Sequence, residues 1–460
     1  MKHNLNVILS LLLTIFMKSC KSDFLDAKPD KSLTVPQTLA DLQSLLDNSD
    51  NVMNETPYLG LVSSDDVYIS DLGLVPMRAP VPAAYKWEKE FYSGLVDYST
   101  DWITCYKQVF YSNIVLEAAD NLTENHAKSS LDNVKGTAYF FRAYAFFQVA
   151  QQFCETYDRT NASETLGIPL RLVPDVDIPS VRSSLEQTYT QIVLDLEHSL
   201  RLLPEVQIKL TRPTKIAACA LLARVYLVMG DYENAERYAS QVLAKQSTLL
   251  NYNQFDPNST RPFPTVLQEG YNPEVLFYSV MGTIPGFQIS SEAGVDTALY
   301  HAYDNHDLRK GLFFRKRSQT VFSFKGQYSG AGVYFTGLAV DEIYLIRAEC
   351  RARMGDFKGA LSDINKLLVT RWRVGRYVPF SSLDRDQLLS HILNERRKQL
   401  VFRGLRWSDL RRLNKDEKTG MSLFRRVQGE LIELRPNDPK YIFALPPDVI
   451  KYSNMEQNPR

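Results

Sequence analysis

One helical-hairpin pattern occurs twice in the chain and limits the folds that the sequence can adopt. Residues 223–235 and 348–360 both read Ala-x5-Met-Gly-Asp-aromatic-x2-Ala. A glycine can end a helix in the left-handed conformation, and an aspartate after it can cap the next helix. Small residues where two helices cross, with such a turn between them, are typical of a tetratricopeptide-type unit. The sequence therefore predicts two hairpins of this type, although two ordinary hairpins could share the spacing by coincidence.

The separation of the two copies excludes a simple tandem array. Tandem tetratricopeptide units repeat about every 34 residues, and these copies lie much farther apart. We therefore expect a mainly α fold, a tetratricopeptide-like scaffold of helical hairpins with a few short strands. Long loop insertions are expected at about residues 56–98 and 246–336, with short strands at residues 275–278 and 319–324. Ser183-x-x-Glu186 predicts a capping box at the start of another helix.

A charged helix that contains a tryptophan is expected after the second hairpin, at residues 394–413. Its acids and arginines could resemble an active site. Glu395 and Asp409 can instead pair with arginines on adjacent turns or on the preceding hairpin. We therefore interpret the cluster as a structural ion network. Its members are Glu395, Arg396, Arg397, Arg406, Asp409 and Arg411.

The two insertions are the expected ligand-binding regions, because a helical repeat scaffold buries its regular faces. Sugar binding requires flat aromatic faces and planar polar side chains, and both insertions supply them. Trp87 lies between Lys86 and Glu88, so we expect it to be exposed and to be the strongest single candidate. Packing is the alternative role for each tyrosine. The candidate ligand-binding residues are Tyr68, Arg78, Tyr85, Trp87, Tyr300, Tyr303 and Tyr328.

The sequence predicts no catalytic residue, cofactor or metal site. The patterns of zinc proteases, nucleophile elbows and phosphate-binding loops are absent from it. Residues 304–307, Asp-Asn-His-Asp, lack the alternating ligands and the glutamate of a calcium loop, so we interpret them as a turn. The 53 basic and 53 acidic residues balance, which removes any general argument for nucleic-acid binding.

The first residues have the pattern of a secretory signal. A basic start and a short apolar run end at Ser19-Cys20, and the run is about half as long as a bilayer-spanning helix. The cysteine at the cleavage point predicts a lipoprotein: residues 1–19 are removed and Cys20 is acylated. The alternative is an ordinary signal peptide with an incidental cysteine. Residues 20–460 are then expected to form one domain.

The other cysteines have no metal-ligand or redox-motif spacing. Cys219 and Cys350 lie inside apolar helical patterns, so we expect them to be small core residues. The spacing leaves a disulfide open among Cys105, Cys154, Cys219 and Cys350.

Four stretches of the chain form a specific combination. They are the Cys-x2-Asp-Phe-Leu-Asp start at residues 20–26, residues 212–232, the paired segments 342–349 and 395–411, and the Pro-Pro tail with Asn458-Pro459. Together they resemble the SusD/RagB family of surface lipoproteins from Bacteroidetes. The chain departs from the family pattern at Gln399 and Arg403, where the family usually has acids, and this alters a local charge network.

The resemblance implies a helical scaffold whose loops bind an extracellular nutrient, most often a glycan. Members of that family sit as lids on SusC-like TonB-dependent outer-membrane transporters, and they are not enzymes. By this resemblance we expect a lipid anchor in the outer membrane, exposure on the cell surface and a transporter as partner. Two other function classes stay open. One is a helical interaction scaffold without a small ligand, and the other is a surface glycosidase.

Overall fold

The structure, a computed structural model, describes residues 36–92, 100–122, 126–265, 272–287 and 290–460. Cys20 and the expected signal sequence lie outside these residues. The helices are α1 (Leu39–Leu46), α2 (Leu59–Ser63), α3 (Asp71–Leu74), α4 (Val81–Lys86), α5 (Thr100–Asp120), α6 (Lys128–Phe153), α7 (Leu185–Leu202), α8 (Lys215–Met229), α9 (Tyr232–Lys245), α10 (Thr297–His301), α11 (Leu308–Phe313), α12 (Val340–Met354), α13 (Phe357–Leu368), α14 (Arg385–Gln399), α15 (Arg406–Leu413) and α16 (Pro447–Ser453). The prediction of a mainly helical fold is confirmed.

The strands are short and form small sheets. They are β1 (Glu55–Thr56), β2 (Val67–Ile69), β3 (Leu166–Pro169), β4 (Arg182–Ser184), β5 (Val275–Phe277), β6 (Val280–Met281), β7 (Ala293–Val295), β8 (Phe314–Lys316), β9 (Phe322–Phe324), β10 (Leu338–Ala339), β11 (Leu423–Val427) and β12 (Glu430–Leu434). The predicted strands at residues 275–278 and 319–324 therefore exist, as the shorter strands β5 and β9.

The two predicted hairpins are α8–α9 and α12–α13. Gly230 ends α8 with a φ of +76°, and Gly355 ends α12 with a φ of +91°. No contact restricts a side chain at either position, so the positive φ is what favours glycine there. The side chains of Asp231 and Asp356 then cap α9 and α13. Both turns form as the sequence pattern predicts.

The two hairpins are neighbours in space although they are far apart in the sequence. Helix α9 packs on α12. A buried ion pair of 2.6 Å joins Arg224 on α8 to Glu342 on α12. A second pair of 3.0 Å joins Glu236 on α9 to Arg351 on α12. The scaffold is therefore continuous in space, and the second insertion leaves it between two adjacent hairpins.

The remaining long helices extend this array. Helix α5 packs on α6, α6 on α7, α7 on α8, and α14 on α12. Helix α6 is buried along most of its length by alternating alanines and aromatic side chains. At the start of α7 the capping box lies one residue later than predicted, with Ser184 and Gln187 as its members. The Ser183 hydroxyl instead donates to the Ile168 carbonyl oxygen, so it does not cap the helix.

A four-stranded sheet joins the two insertions. Its strand order is β2-β7-β9-β8, so that one strand comes from the first insertion and three come from the second. Strand β1 of the first insertion also pairs with β6 of the second. The sequence predicted the insertions but not that they share a sheet. The sheet brings candidate residues from both insertions to one region of the surface.

The described cysteines, Cys105, Cys154, Cys219 and Cys350, are free and buried. The prediction that Cys219 and Cys350 are core residues is confirmed. The turn predicted at residues 304–307 is also present, with the Asp304 carboxylate accepting a hydrogen bond from the His306 backbone. Within the described ranges no helix has the length and apolar character needed to cross a membrane.

Candidate functional site

The charged segment after the second hairpin forms a buried ion network. Asp409 accepts from Arg396 at 2.8 Å and from Arg412 at 2.9 Å, and Arg412 also binds both oxygens of Glu349. Burial favours a raised pKa for Asp409, but Arg396 and Arg412 outweigh it and lower that pKa. The pairing predicted for Asp409 is confirmed. These acids are neutralised by arginines, as structural carboxylates require.

Glu395 pairs with a different element from the one expected. Its carboxylate accepts from Arg309 of the second insertion at 2.6 Å, and its own helix contributes Lys398. Arg411 is not part of an ion pair in the described structure. It donates to the backbone carbonyl oxygens of Gln151 and Cys154, which fixes α15 against the end of α6.

Two arginines of this segment connect it to the first insertion. Arg406 binds both oxygens of Asp65 at 2.7 and 2.9 Å. Arg397 contacts Asp65 at 3.1 Å and Asp66 at 3.0 Å. Burial raises the pKa of Asp66, whereas the two arginines outweigh burial at Asp65 and lower its pKa. The network thus holds the first insertion against the helical scaffold.

The expected exposure of Trp87 is wrong. Its side chain is 3% exposed, and its Nε1 donates to the Ser63 carbonyl oxygen at 2.9 Å. Tyr85 is also buried, and its hydroxyl bonds the backbone of Ile69. The Arg425 guanidinium lies 3.9 Å from the Tyr85 ring centre and 4.4 Å from that of Trp87. Both rings therefore cover a buried cation, and neither offers a face to a ligand.

The three tyrosines predicted in the second insertion are also engaged by packing. Tyr303 is buried, and its hydroxyl donates to the Lys398 carbonyl oxygen at 2.7 Å. Tyr328 is buried and donates to Glu274 at 3.0 Å. Tyr300 is half-buried and stacks on Phe322 with 3.7 Å between ring centres. Their local sequence has no signal that separates a packed ring from an exposed one.

Tyr68 and Arg78 are the predicted residues that reach the surface. Arg78 is exposed, and Tyr68 is half-buried on β2. Burial is the main cause that raises the pKa of Tyr68, and Glu292 contributes to it. Glu292 in turn accepts a 2.7 Å hydrogen bond from the Ser70 hydroxyl. Polar groups of the two insertions therefore meet next to the Tyr68 ring.

The strand register places Tyr68 on the same sheet face as a basic residue of the second insertion. Tyr68 is opposite Gly294, and Ser323 is opposite Arg315. The pairing of β7 with β9 at Val295 and Phe322 then sets Gly294 beside Ser323. Directly opposite residues project to the same face. Tyr68 and Arg315 thus lie at the two ends of one row, separated by three inter-strand spacings of about 4.8 Å each.

A polar cleft of about 160 Å³ opens on this face. It is lined by residues of both the loops and the sheet, and four of them are cationic. The basic side chains are Arg261, Arg315, Arg317 and Lys325, and no carboxylate is among the described residues that line the cleft. Hydroxyl and amide groups come from Thr260, Ser290, Ser323 and Gln327. Phe287, Phe324 and Tyr334 supply its apolar wall.

The sequence analysis did not identify these basic residues. A signal was present, because the run Arg315-Lys316-Arg317 lies in an insertion next to Phe313-Phe314. Arg315 and Arg317 line the cleft, whereas Lys316 between them does not. The run becomes informative only once the segment is known to be the edge of a sheet.

Gln399 and Arg403, the departures from the family pattern, do not line this cleft. Both donate to the Asp341 carboxylate at 2.8 Å. Both are buried. They form part of the ion network beneath the second insertion.

Comparison with known proteins explains the combination of scaffold and insertions. The profile of a SusD-like family described as "Starch-binding associating with outer membrane" matches residues 23–227, and the SusD family profile matches residues 311–440. The chain belongs to the SusD/RagB family. Between them the two matches include the second Met-Gly-Asp hairpin, most of helix α8 and the whole of the first insertion.

Relatives of similar length extend the match over almost the whole chain. SusD-like protein P2 of Formosa agariphila is 24% identical over 490 residues, which cover 92% of each chain. A SusD superfamily protein from Bacteroides vulgatus has a TM-score of 0.74 at 22% identity, covering 92% of this chain and 99% of its own. A putative sugar binding protein from the same species has a TM-score of 0.72 at 20% identity, covering 93% and 99%. The chain therefore has the SusD fold over almost all of its length.

Proposed function

We propose that this protein binds a glycan at the cell surface and delivers it to a SusC-like TonB-dependent outer-membrane transporter. Membership of the SusD family implies a glycan-binding protein of nutrient uptake. The observation that carries the proposal for this chain is the shared sheet face of the two insertions. That face combines the exposed side of Tyr68 with a cleft of hydroxyl, amide and basic groups, which is the chemistry that holds a sugar chain.

The proposal places ligand binding at this face and not at Trp87 or on the helices. The charged residues of α14 and α15 are already joined in ion pairs, so they serve the scaffold. Tyr68 and Arg78 remain candidate contacts from the first insertion, whereas Tyr300 stacks on Phe322 and does not line the cleft. We propose no catalytic role, in keeping with SusD family members, which are generally non-catalytic.

Retention by immobilised glycans tests this function. We expect the protein to be retained by at least one glycan of a panel, with micromolar to millimolar affinity, or about 4–8 kcal/mol. Incubation with that glycan is expected to release no reducing sugar. Release of reducing ends in proportion to protein concentration would identify a glycosidase instead. Retention by a protein partner but by no glycan in the panel would identify an interaction scaffold.

We also propose that residues 20–460 form the mature protein and that Cys20 carries its lipid anchor. The Ser19-Cys20 pair after the apolar run motivates this proposal. Cys20→Ser is expected to move the protein from the outer-membrane fraction to the soluble fraction, because the acyl chains are the proposed attachment. A variant at a buried cysteine, Cys105→Ser, is the control and is expected to stay with the membrane. A Cys20→Ser protein that still resists carbonate extraction would contradict the anchor.

A further inference from the structure

The cleft on the sheet face brings four basic side chains together around one small space. Some buried arginines elsewhere meet acids: Arg309 binds Asp307 and Glu395, and Arg371 binds Glu274. In the cleft, none of the four basic residues forms a salt bridge within the described part of the chain. Positive charge that the protein does not neutralise is therefore concentrated beside the proposed glycan-binding surface.

Neutral groups hold these cations in place. The Nε of Arg317 donates to the Ser323 hydroxyl at 3.1 Å, and the Nζ of Lys325 donates to the Ser259 carbonyl oxygen at 2.9 Å. Burial and the nearby Arg315 lower the pKa of Lys325, while Asp256 acts in the opposite direction. Such bonds orient the side chains without cancelling their charge. The guanidinium groups keep donors available for an incoming anion.

We propose that this cleft binds the carboxylate or sulfate group of an acidic glycan. Guanidinium groups form paired, charge-assisted hydrogen bonds with planar or tetrahedral oxyanions. The surrounding Ser323, Thr260 and Gln327 side chains match sugar hydroxyl groups. The inference rests on the proposed function and adds the substrate class to it. With an acidic sugar in the cleft, the neighbouring sugar units of the same glycan would extend across the sheet from Arg315 toward Tyr68.

The segment Arg315-Lys316-Arg317 at the end of β8 contains both the test residues and a matched control. Arg315 and Arg317 line the cleft. Lys316 lies between them, is exposed, bonds the Gln319 side chain at 3.3 Å and does not line the cleft. The variants Arg315→Gln, Arg317→Gln and Lys316→Gln each remove one positive charge from the same three-residue segment. Because the net charge changes equally in all three variants, a difference in their glycan affinity reflects the position of the lost charge.

The experiment measures binding of four soluble polymers to the full-length protein at physiological salt. The probes are polygalacturonate for carboxylates, carrageenan for sulfates, amylose as a neutral glucan and single-stranded DNA as a non-sugar polyanion. We expect one acidic glycan to bind most tightly, and the preferred one identifies the anion. Arg315→Gln and Arg317→Gln are each expected to weaken that binding by about tenfold, the loss of one charge-assisted contact. Lys316→Gln is expected to leave it within about twofold, with all melting temperatures unchanged.

Each other outcome overturns a defined part of this inference. Binding of amylose at least as tight as that of both acidic glycans contradicts the anionic substrate, while glycan binding itself survives. Equal losses in the three variants contradict the cleft as the site. DNA binding as tight as that of the acidic glycans, with the same losses, identifies a general polyanion surface. Failure of both acidic glycans to bind contradicts this inference, whereas only the absence of retention by every glycan of the wider panel contradicts the proposed function.

Discussion

Replacement of Arg371 by methionine is expected to lower the free energy of unfolding by about 3–5 kcal/mol, the usual cost of leaving a buried charge unpaired. Arg371 and Glu274 are both 0% exposed, and two contacts of 2.7 and 2.9 Å join them. Arg371 also donates to the Leu250 carbonyl oxygen at 2.7 Å. Burial already raises the pKa of Glu274 against the opposing effect of Arg371, so loss of the arginine would raise it further.

Urea unfolding followed by circular dichroism measures this change. The control is Arg435→Met, whose side chain is 76% exposed beside Glu433 at 3.2 Å; such a pair contributes less than about 1 kcal/mol. The double variant Arg371→Met/Glu274→Gln is expected to recover part of the loss, because no charge is then left buried. Equal effects at Arg371 and Arg435 would mean that the buried pair does not hold the second insertion to the scaffold.

Replacement of Trp87 by alanine is expected to destabilise the protein by about 3–5 kcal/mol, as for other buried aromatic residues. The change empties the space beside the Arg425 guanidinium and removes the hydrogen bond to Ser63. Arg425 is buried without a carboxylate partner, and burial lowers its pKa to about 10. Its guanidinium donates to the backbone carbonyl oxygens of Val62, Ser64 and Tyr85. The aromatic faces of Tyr85 and Trp87 stabilise it further. Thermal unfolding is the measurement.

Tyr452→Ala supplies the comparison for this variant, because its ring is 83% exposed. A surface change of that kind is expected to alter stability by about 0.5 kcal/mol or less. Glycan binding by Trp87→Ala, measured well below its melting temperature, is expected to be close to wild type. Wild-type stability together with lost glycan binding would instead place the ring in the binding site, as its position between two charged residues first indicated.

Local patterns were sufficient to predict the hairpins and their turns. A glycine with positive φ, a capping aspartate and an apolar face all act within a few residues. Such features can be recognised within one short segment of sequence. The turns at Gly230 and Gly355 and the helix caps after them are present as predicted. The capping box at α7 was misplaced by one residue, because two adjacent serines both fit the pattern and only the Ile168 contact separates them.

Where the sequence analysis was wrong or silent, the position of a side chain depends on a partner that is distant in the sequence. Trp87 is flanked by Lys86 and Glu88, which is typical of an exposed position, yet Arg425 from a distant strand stacks against it. Glu395 was expected to pair near its own helix, and Arg309 reaches it from the second insertion. The cleft could be recognised only from the register of β8 with β9, which places Arg315 opposite Ser323. None of these pairings has a local signature.

Hydrogen–deuterium exchange with and without the bound glycan tests most directly whether the two insertions form the ligand-binding face. The tightest-binding glycan of the panel is the ligand, and the free protein is the reference. We expect slower exchange on binding in residues 256–265 and 314–325 around the cleft and in residues 67–78 around Tyr68. The hairpin helices α12 and α13 are expected to exchange at unchanged rates. Protection confined to those helices, with no change in either insertion, would contradict the proposed site.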